Sequence, residues 1–379
     1  MPDRPARLPL HPISRLHLDA LTTEIGISQH AIGSVPDPNH GYCVDDVARA
    51  IEVDLLHART LGSAAVGDSL RRGLRFLRAA PRGPGARMRN FRRSDGTWLA
   101  GPGSEDSQAR ALLAIGETIA AVPSGPMHED ALDLWAQTLP VVRRPTALRA
   151  QASAILACAA VLQVRDDPLA AATLDDLSTS LHARMRDVSP AWPWPEPIVT
   201  YENALLPRAL IVAGAWLGAP AMTATGLAVL DWLVDAQTAP AGHLSPIGNG
   251  WWPRGGSRSR FDQQPIEATA LLLAAKAALD ATGVDRHRHT MEAAYGWFLG
   301  RNDSGRRLAD PLRGACSDGL TERGVNTNEG AESTLMWLMV AEHIRALRGV
   351  ADARPAPAGW IEVGADTTRA GRPLAAGVA

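Results

Sequence analysis

Carboxylates gather where apolar segments of this chain begin. In HGYCVDDVARA, from His40 to Ala50, a turn carrying His40 and Tyr42 runs straight into Asp45 and Asp46. Glu105 and Asp106 open SEDSQARALLAIGETIAA, Glu202 lies in TYENALLPRALIVAGAWLG, and Glu267 lies in FDQQPIEATALLLAAKAAL. Acids supplied in pairs suit general acid/base work: one protonated carboxyl gives its proton to a leaving oxygen while a carboxylate activates water. Asp46, Glu105, Asp106, Glu202 and Glu267 are therefore the candidate catalytic residues.

The residues around these acids suit a substrate rich in hydroxyls. His40, Tyr42, Asp45, Tyr201, Asn203, Asp262, Gln263, Gln264, Asn326, Asn328 and Glu329 can all hydrogen-bond to one. Trp251 and Trp252 offer flat apolar faces in a Gly-rich loop, as do Trp192 and Trp194 in another, and Arg260 could hold a phosphate or a uronate. Aligning the first two segments on their shared Ala-Arg-Ala places Asp45 against Asp106, each four residues before an arginine, Arg49 and Arg110. An i,i+4 pair with arginine would keep both acids ionised, fit for a strut or a base. Asp46 and Glu105 lack that partner, so with Glu267 they are the expected proton donors, and Asp106 or Glu202 the expected base. Each acid also has an ordinary alternative, since first-turn carboxylates stabilise helix N-termini without any chemistry.

Positioning these residues is the task of a helical repeat. Asp45, Asp106, Arg149, Glu202, Glu267 and Glu329 mark six segments, each a polar opening followed by an Ala- and Leu-rich run, at steps of roughly 43 to 65 residues. Amphipathic stretches lie between them at Val66–Ala80, Glu129–Arg143, Pro168–Arg186, Ala221–Gln237 and Asp285–Leu299, and one more helix, capped by Ser14, is expected over Ser14–Ile25. Helices apolar on every side belong inside and amphipathic ones outside. The expectation is an all-α fold, an (α/α)6 toroid of six inner and six outer helices with long loops at one mouth. It would form one domain over residues 1–350, followed by a Pro/Ala/Gly-rich tail at 351–379 that is disordered or loosely docked. Asp95-Gly96 predicts a hairpin within Arg87–Leu99.

Composition narrows the function. A net charge of −2 gives no electrostatic case for nucleic acid or an anionic membrane. No run approaches the roughly 18 apolar residues of a membrane span, and no secretory leader is evident, so the expected location is cytoplasmic. Three cysteines make no disulfide framework, and Cys43, Cys316 and His40 lack zinc-ligand spacing; neither metal nor cofactor is expected. Eleven tryptophans against three tyrosines and four phenylalanines fit either core filling or sugar stacking.

HGYCVDDVARA, GSEDSQARALLAIG, TYENALLPRALIVAG, FDQQPIEA and GVNTNEGAESTL together resemble an uncharacterised bacterial family of (α/α)6-barrel proteins, found alone or attached to glycosyltransferase-like sequences. The resemblance spans roughly Asp37–Arg345 and is more distantly similar to (α/α)6 glycoside hydrolases. It implies a toroid, carbohydrate metabolism and a functional link to a glycosyltransferase, and assigns no catalytic residue. The expected activity is cleavage of a glycosidic bond in an oligosaccharide or polysaccharide by paired carboxylates, with inversion. The alternatives are a phosphorylase, a sugar epimerase or lyase using His40, Tyr42 or Tyr201, and a non-catalytic glycan-binding domain.

Overall fold

The computed structural model describes residues 7–81, 83 and 85–349. Its helices are, in chain order, α1 (Leu16–Leu21), α2 (Val44–Leu61), α3 (Gly67–Ala79), α4 (Glu105–Ala121), α5 (Pro126–Val142) and α6 (Leu148–Leu162). They continue with α7 (Pro168–Arg186), α8 (Leu205–Trp216), α9 (Pro220–Ala236), α10 (Pro265–Thr282), α11 (Arg286–Phe298) and α12 (Ala331–Leu347). The even-numbered helices pack side by side in sequence, and α12 returns to α2, closing an inner ring; the odd-numbered ones lie against its outside. This is the (α/α)6 toroid.

The division follows from where each helix is apolar. In α6 nearly every residue from Leu148 to Val161 is buried, polar Ser153 and Gln151 included, whereas α3 buries Leu70, Leu74 and Leu77 and turns Arg71 and Arg75 outward. Alanine and glycine let neighbours in the ring approach closely. A Cβ on Gly116 of α4 would lie 2.8 Å from the Ala157 carbonyl oxygen of α6 and 3.3 Å from the Trp135 ring. Of the expected outer helices, Pro168–Arg186 is found as read, and the other four shift by one to three residues at an end.

The N-terminal helix differs most. It covers Leu16–Leu21 rather than Ser14–Ile25, and no side chain caps it. The residue before it, Arg15, instead reaches into α2, bonding Asp54 Oδ1 at 2.6 Å and His57 Nδ1 at 2.7 Å. A bridge between Thr22 and Ile27 then ends the helix early. The expected hairpin is present: Arg93 N–H donates to the Thr97 carbonyl at 2.8 Å around Asp95-Gly96, and Phe91–Arg92 pairs with Tyr42–Cys43 just before α2. Among the described residues no helix is long and apolar enough to cross a membrane. The tail expected at 351–379 lies outside the described residues.

Candidate active site

All six inner helices run the same way, so their N-termini crown one end of the ring. Four of the six have the second helical residue facing a shared cavity there: Asp45, Asp106, Ile266 and Glu332. One turn deeper, Arg49 and Arg110 line the same space, as i,i+4 stacking on one helix face requires. Ser104, Tyr201, Asn249, Trp251 and Gln264 complete the wall of a cavity of about 280 Å³.

Both arginines join neighbouring elements, and Arg49 also bonds within its own turn. Arg110 grips both oxygens of Glu202, at 3.1 and 2.5 Å, and lies 3.5 Å from Asp45 on α2. Arg49 lies 3.1 Å from Asp46 and 2.9 Å from Glu332 on α12. The i,i+4 pairs read from sequence, Asp45 with Arg49 and Asp106 with Arg110, are thus replaced by bonds across the ring and, for Arg49, by an i,i+3 bond to Asp46, the acid expected to lack a local arginine. The physical reason is reach: an inward-pointing guanidinium on a long stem meets the next helix's acid as easily as its own. Burial opposes the charge on Glu202, but Arg110 outweighs it and holds the carboxyl below its ordinary value.

Asp106 is the cavity acid without an arginine. Its Oδ2 accepts a hydrogen bond from the Tyr201 hydroxyl, and its Oδ1 is buried with no hydrogen-bond partner among the described residues. Burial first, and then the Asp106 carboxylate, push the Tyr201 phenol up. Tyr201 is fixed from behind by Arg149, whose guanidinium lies 4.6 Å from its ring centre. The same arginine donates to Thr200 Oγ1 at 2.7 Å and Asn203 Oδ1 at 3.2 Å, and lies 3.0 Å from Glu196.

The remaining candidate acids stand behind or beside this wall. Asp46 is buried against Cys43 and Arg49, and burial pushes its carboxyl up to about 6 even with Arg49 beside it. Glu105 turns away to the start of α6, accepting from the N–H groups of Thr146 and Ala147 at 2.7 Å each. Partial burial raises its carboxyl, and those hydrogen bonds bring it below its ordinary value. Glu267 accepts from the Glu202 N–H and from Asn203 Nδ2 at 2.9 Å, and burial pushes it up to about 7. It braces the strained turn that carries Glu202.

Of the expected binding residues, Asp45, Tyr201, Trp251 and Gln264 line the cavity. Asn203 is buried in the Arg149 network. His40 is exposed and packs on the His30 ring at 4.3 Å, while Tyr42 is buried and accepts from Thr23 Oγ1 at 3.0 Å. Gln263 is buried, bonded to Trp297 Nε1 at 2.8 Å, and Asp262 is exposed. Arg260 covers the Phe261 ring at 5.2 Å and reaches Asp303 at 3.5 Å. Asn326 is exposed, Asn328 holds His30 and Asp318 at 2.9 and 3.1 Å, and Glu329 pairs with Arg313 at 3.0 Å. Trp252 stacks on Trp232 at 5.5 Å beside Trp192, and both Trp192 and Trp194 are buried, so this cluster fills space under a loop.

In the sequence Arg49 and Arg110 stand out only as partners of the acids, and Ser104, Asn249 and Ile266 carry no signal that sets them apart. Glu332 could have been found: it stands second in its helix, as Asp45 and Asp106 do in theirs. Backbone strain marks the same mouth. The described non-glycine residues with positive φ are Glu202 at 46°, Trp251 at 62° and Asp262 at 43°; Trp251 lines the cavity, Glu202 lies behind it, and Asp262 immediately precedes Gln263-Gln264. Such conformations cost of order 1–3 kcal/mol each and tend to persist where a site needs them.

No family model matches this chain, and no curated protein does. Among solved structures it is similar to a sugar epimerase from a ruminal bacterium, at 11% identity and TM-score 0.68 over 88% of this chain and 95% of that one. It is similar to cellobiose 2-epimerase from Bacillus thermoamylovorans, at 11% identity and TM-score 0.67 over 87% and 96%. It is also similar to an alpha-mannanase of Bacteroides thetaiotaomicron, at 9% identity and TM-score 0.59 over 88% and 95%. At these identities the likeness establishes the fold, the (α/α)6 toroid that these proteins share.

Proposed function

We propose that the chain is a carbohydrate-active enzyme that hydrolyses a glycosidic bond of an oligosaccharide or polysaccharide in the cavity at the inner-helix N-termini. One observation carries this reading: three carboxylates face one cavity, and arginine neutralises two of them but not the third. Asp45 and Glu332, each beside a guanidinium, serve as the base that activates water. Asp106, with no arginine in contact and one buried oxygen left without a hydrogen-bond partner among the described residues, is placed to give a proton to the leaving oxygen. A carboxylate tied to arginine is a poor nucleophile, which favours activation of water and so inversion. Trp251, exposed at the rim, supplies the stacking face.

The test is incubation with a panel of oligosaccharides, read by mass spectrometry with and without phosphate, using the wild type and Asp106→Asn. Loss of the proton donor should slow cleavage by about 10²–10⁴. Cleavage that Asp106→Asn leaves untouched would refute the assignment, and dependence on phosphate would make the enzyme a phosphorylase.

A second reading, sugar epimerisation or isomerisation, rests on the Tyr201–Asp106 hydrogen bond as a route for a carbon-bound proton, and on the fold likeness to a sugar epimerase. It predicts a product of unchanged mass that takes up deuterium from solvent and that Tyr201→Phe abolishes. Of the other residues this reading called on, His40 and Tyr42 lie away from the cavity.

A further inference from the structure

The inner ring holds a second cavity, open at the opposite end. It measures about 630 Å³ and is lined by all six even-numbered helices. Glu52 marks its floor and Arg59 its rim, seven residues apart on α2, so it runs about 10 Å along the axis at 1.5 Å per residue. Glu52 is only 8% exposed, and its Oε1 has no hydrogen-bond partner among the described residues. Burial and neighbouring Glu117 push Glu52 up to about 8, toward the protonated form that can donate. Burial also pushes His343 down to about 3, with Lys276, Arg208 and Arg59 adding to the effect, so the ring is uncharged. The lining thus sets Arg59, Arg208 and Lys276 against the carboxyls of Glu52, Glu117 and Asp280; Lys276 takes up Asp280, and burial raises both glutamates, which leaves the two arginines as the cations facing the space.

Helix electrostatics explains part of that lining. Arg59 lies in the last turn of α2, where a cation suits the helix dipole, and Lys276 is accounted for by Asp280, 2.6 Å away one turn on in α10. Arg208 does not fit that account. It is the fourth residue of α8, near the positive end of the helix, half-buried, and has Glu117 and Glu52 as electrostatic neighbours but no hydrogen bond or ion pair among the described residues. A guanidinium presents five N–H donors whose geometry matches carboxylate or phosphate oxygens.

We propose that this rear funnel is a second binding site, for a small hydroxyl-bearing anion whose carboxylate or phosphate is held by Arg208 and Arg59 and whose hydroxyls meet Glu52. The volume fits a ligand of metabolite size. The site is independent of the reaction proposed at the front mouth, although Glu52 lies within one helical turn of Arg49 there.

The experiment is isothermal titration calorimetry on the intact protein with glucose 6-phosphate, glucuronate, inorganic phosphate and neutral glucose. Saturable binding of glucose 6-phosphate or glucuronate, and not of glucose, is expected; the comparison of the two separates phosphate from carboxylate. Arg208→Gln should weaken that binding at least about tenfold, which is about 1.4 kcal/mol, while Asp106→Asn leaves it unchanged. If Arg208→Gln lowers the melting temperature, Arg59→Gln at the exposed rim serves as the second variant and should weaken binding several-fold. No saturable binding of either anion, equal binding of glucose, or variants as tight as the wild type would overturn the proposal and leave these cations a purely structural role. Binding lost in Asp106→Asn would also overturn it, by moving the ligand to the front mouth.

Discussion

Replacing Arg110 with methionine tests the ionic layer that underlies the front cavity. Arg110 is buried, holds both oxygens of Glu202 and lies beside Asp45. Methionine keeps much of the stem volume and removes the charge, leaving Glu202, 9% exposed, without its cation. Breaking one side of a buried pair costs about 3–5 kcal/mol, most of it the penalty on the stranded charge. In the wild type the lowered Glu202 value adds stability that is present above the ordinary carboxyl range and lost as pH falls through the lowered value. In the variant, burial is opposed only by the weaker pull of Arg49 and Arg149 and the value rises, so Glu202 takes up a proton at a higher pH than in the wild type and the stranded charge disappears. The destabilisation should therefore be largest at neutral pH and shrink on acidification, by up to about 1.4 kcal/mol per pH unit within the window between the two values. Urea unfolding of both proteins at pH 7.5, 6.5 and 5.5, followed by circular dichroism, measures it. A loss below about 1 kcal/mol at pH 7.5, or one that does not change with pH, would show that Arg110 does not govern Glu202. The pair Arg110→Met/Glu202→Gln should recover a large part of the loss.

Three further outcomes follow from other parts of the ring. Glu52 sits at about 8, so the wild type loses stability as pH climbs from the ordinary carboxyl range toward 8; Glu52→Gln should melt higher than the wild type by a margin that grows over that window and then levels off. Equal melting temperatures at pH 5.5 and 8.5 would contradict this. Gly116→Val places a side chain against the Ala157 carbonyl and the Trp135 ring, and should destabilise by about 1–3 kcal/mol in denaturant titration, whereas an unchanged midpoint would mean that α4 and α6 separate easily. Trp251→Ala, at an exposed rim position, should leave the melting temperature nearly unchanged and weaken substrate binding by about 1 kcal/mol, roughly fivefold in KM; a change in kcat alone would place the ring elsewhere in the reaction.

The site was legible in part, and the divide is geometric. Helix starts can be read from a polar residue ahead of an apolar run, which is why Asp45, Asp106, Tyr201 and Gln264 could be expected together, and they line one cavity at the inner-helix N-termini. Which of two adjacent acids faces the axis cannot be read that way. Consecutive helical residues differ by about 100°, so Asp45 enters the cavity while Asp46 packs against Cys43, and Asp106 enters while Glu105 reaches across to α6. Trp192 and Trp252 show the same gap from the other direction. Their loops look open in sequence, yet Trp252 stacks on Trp232 and Trp192 meets the same ring edge-on.

By itself, then, the order of residues determined the helices, their inner or outer place, and the end of the ring at which acids would collect. Those depend on periodicity and local capping, which act within a turn or two of helix. Tertiary structure alone decided the partners: Arg110 for Glu202 and Asp45, Arg49 for Glu332, Tyr201 for Asp106, and an open rear funnel around Glu52 and Arg208. Those bonds join residues up to 283 positions apart, from Arg49 to Glu332, the last of these because closing the ring brings α12 back to α2. Side-chain type says that a charge needs a partner; the closed ring says which one.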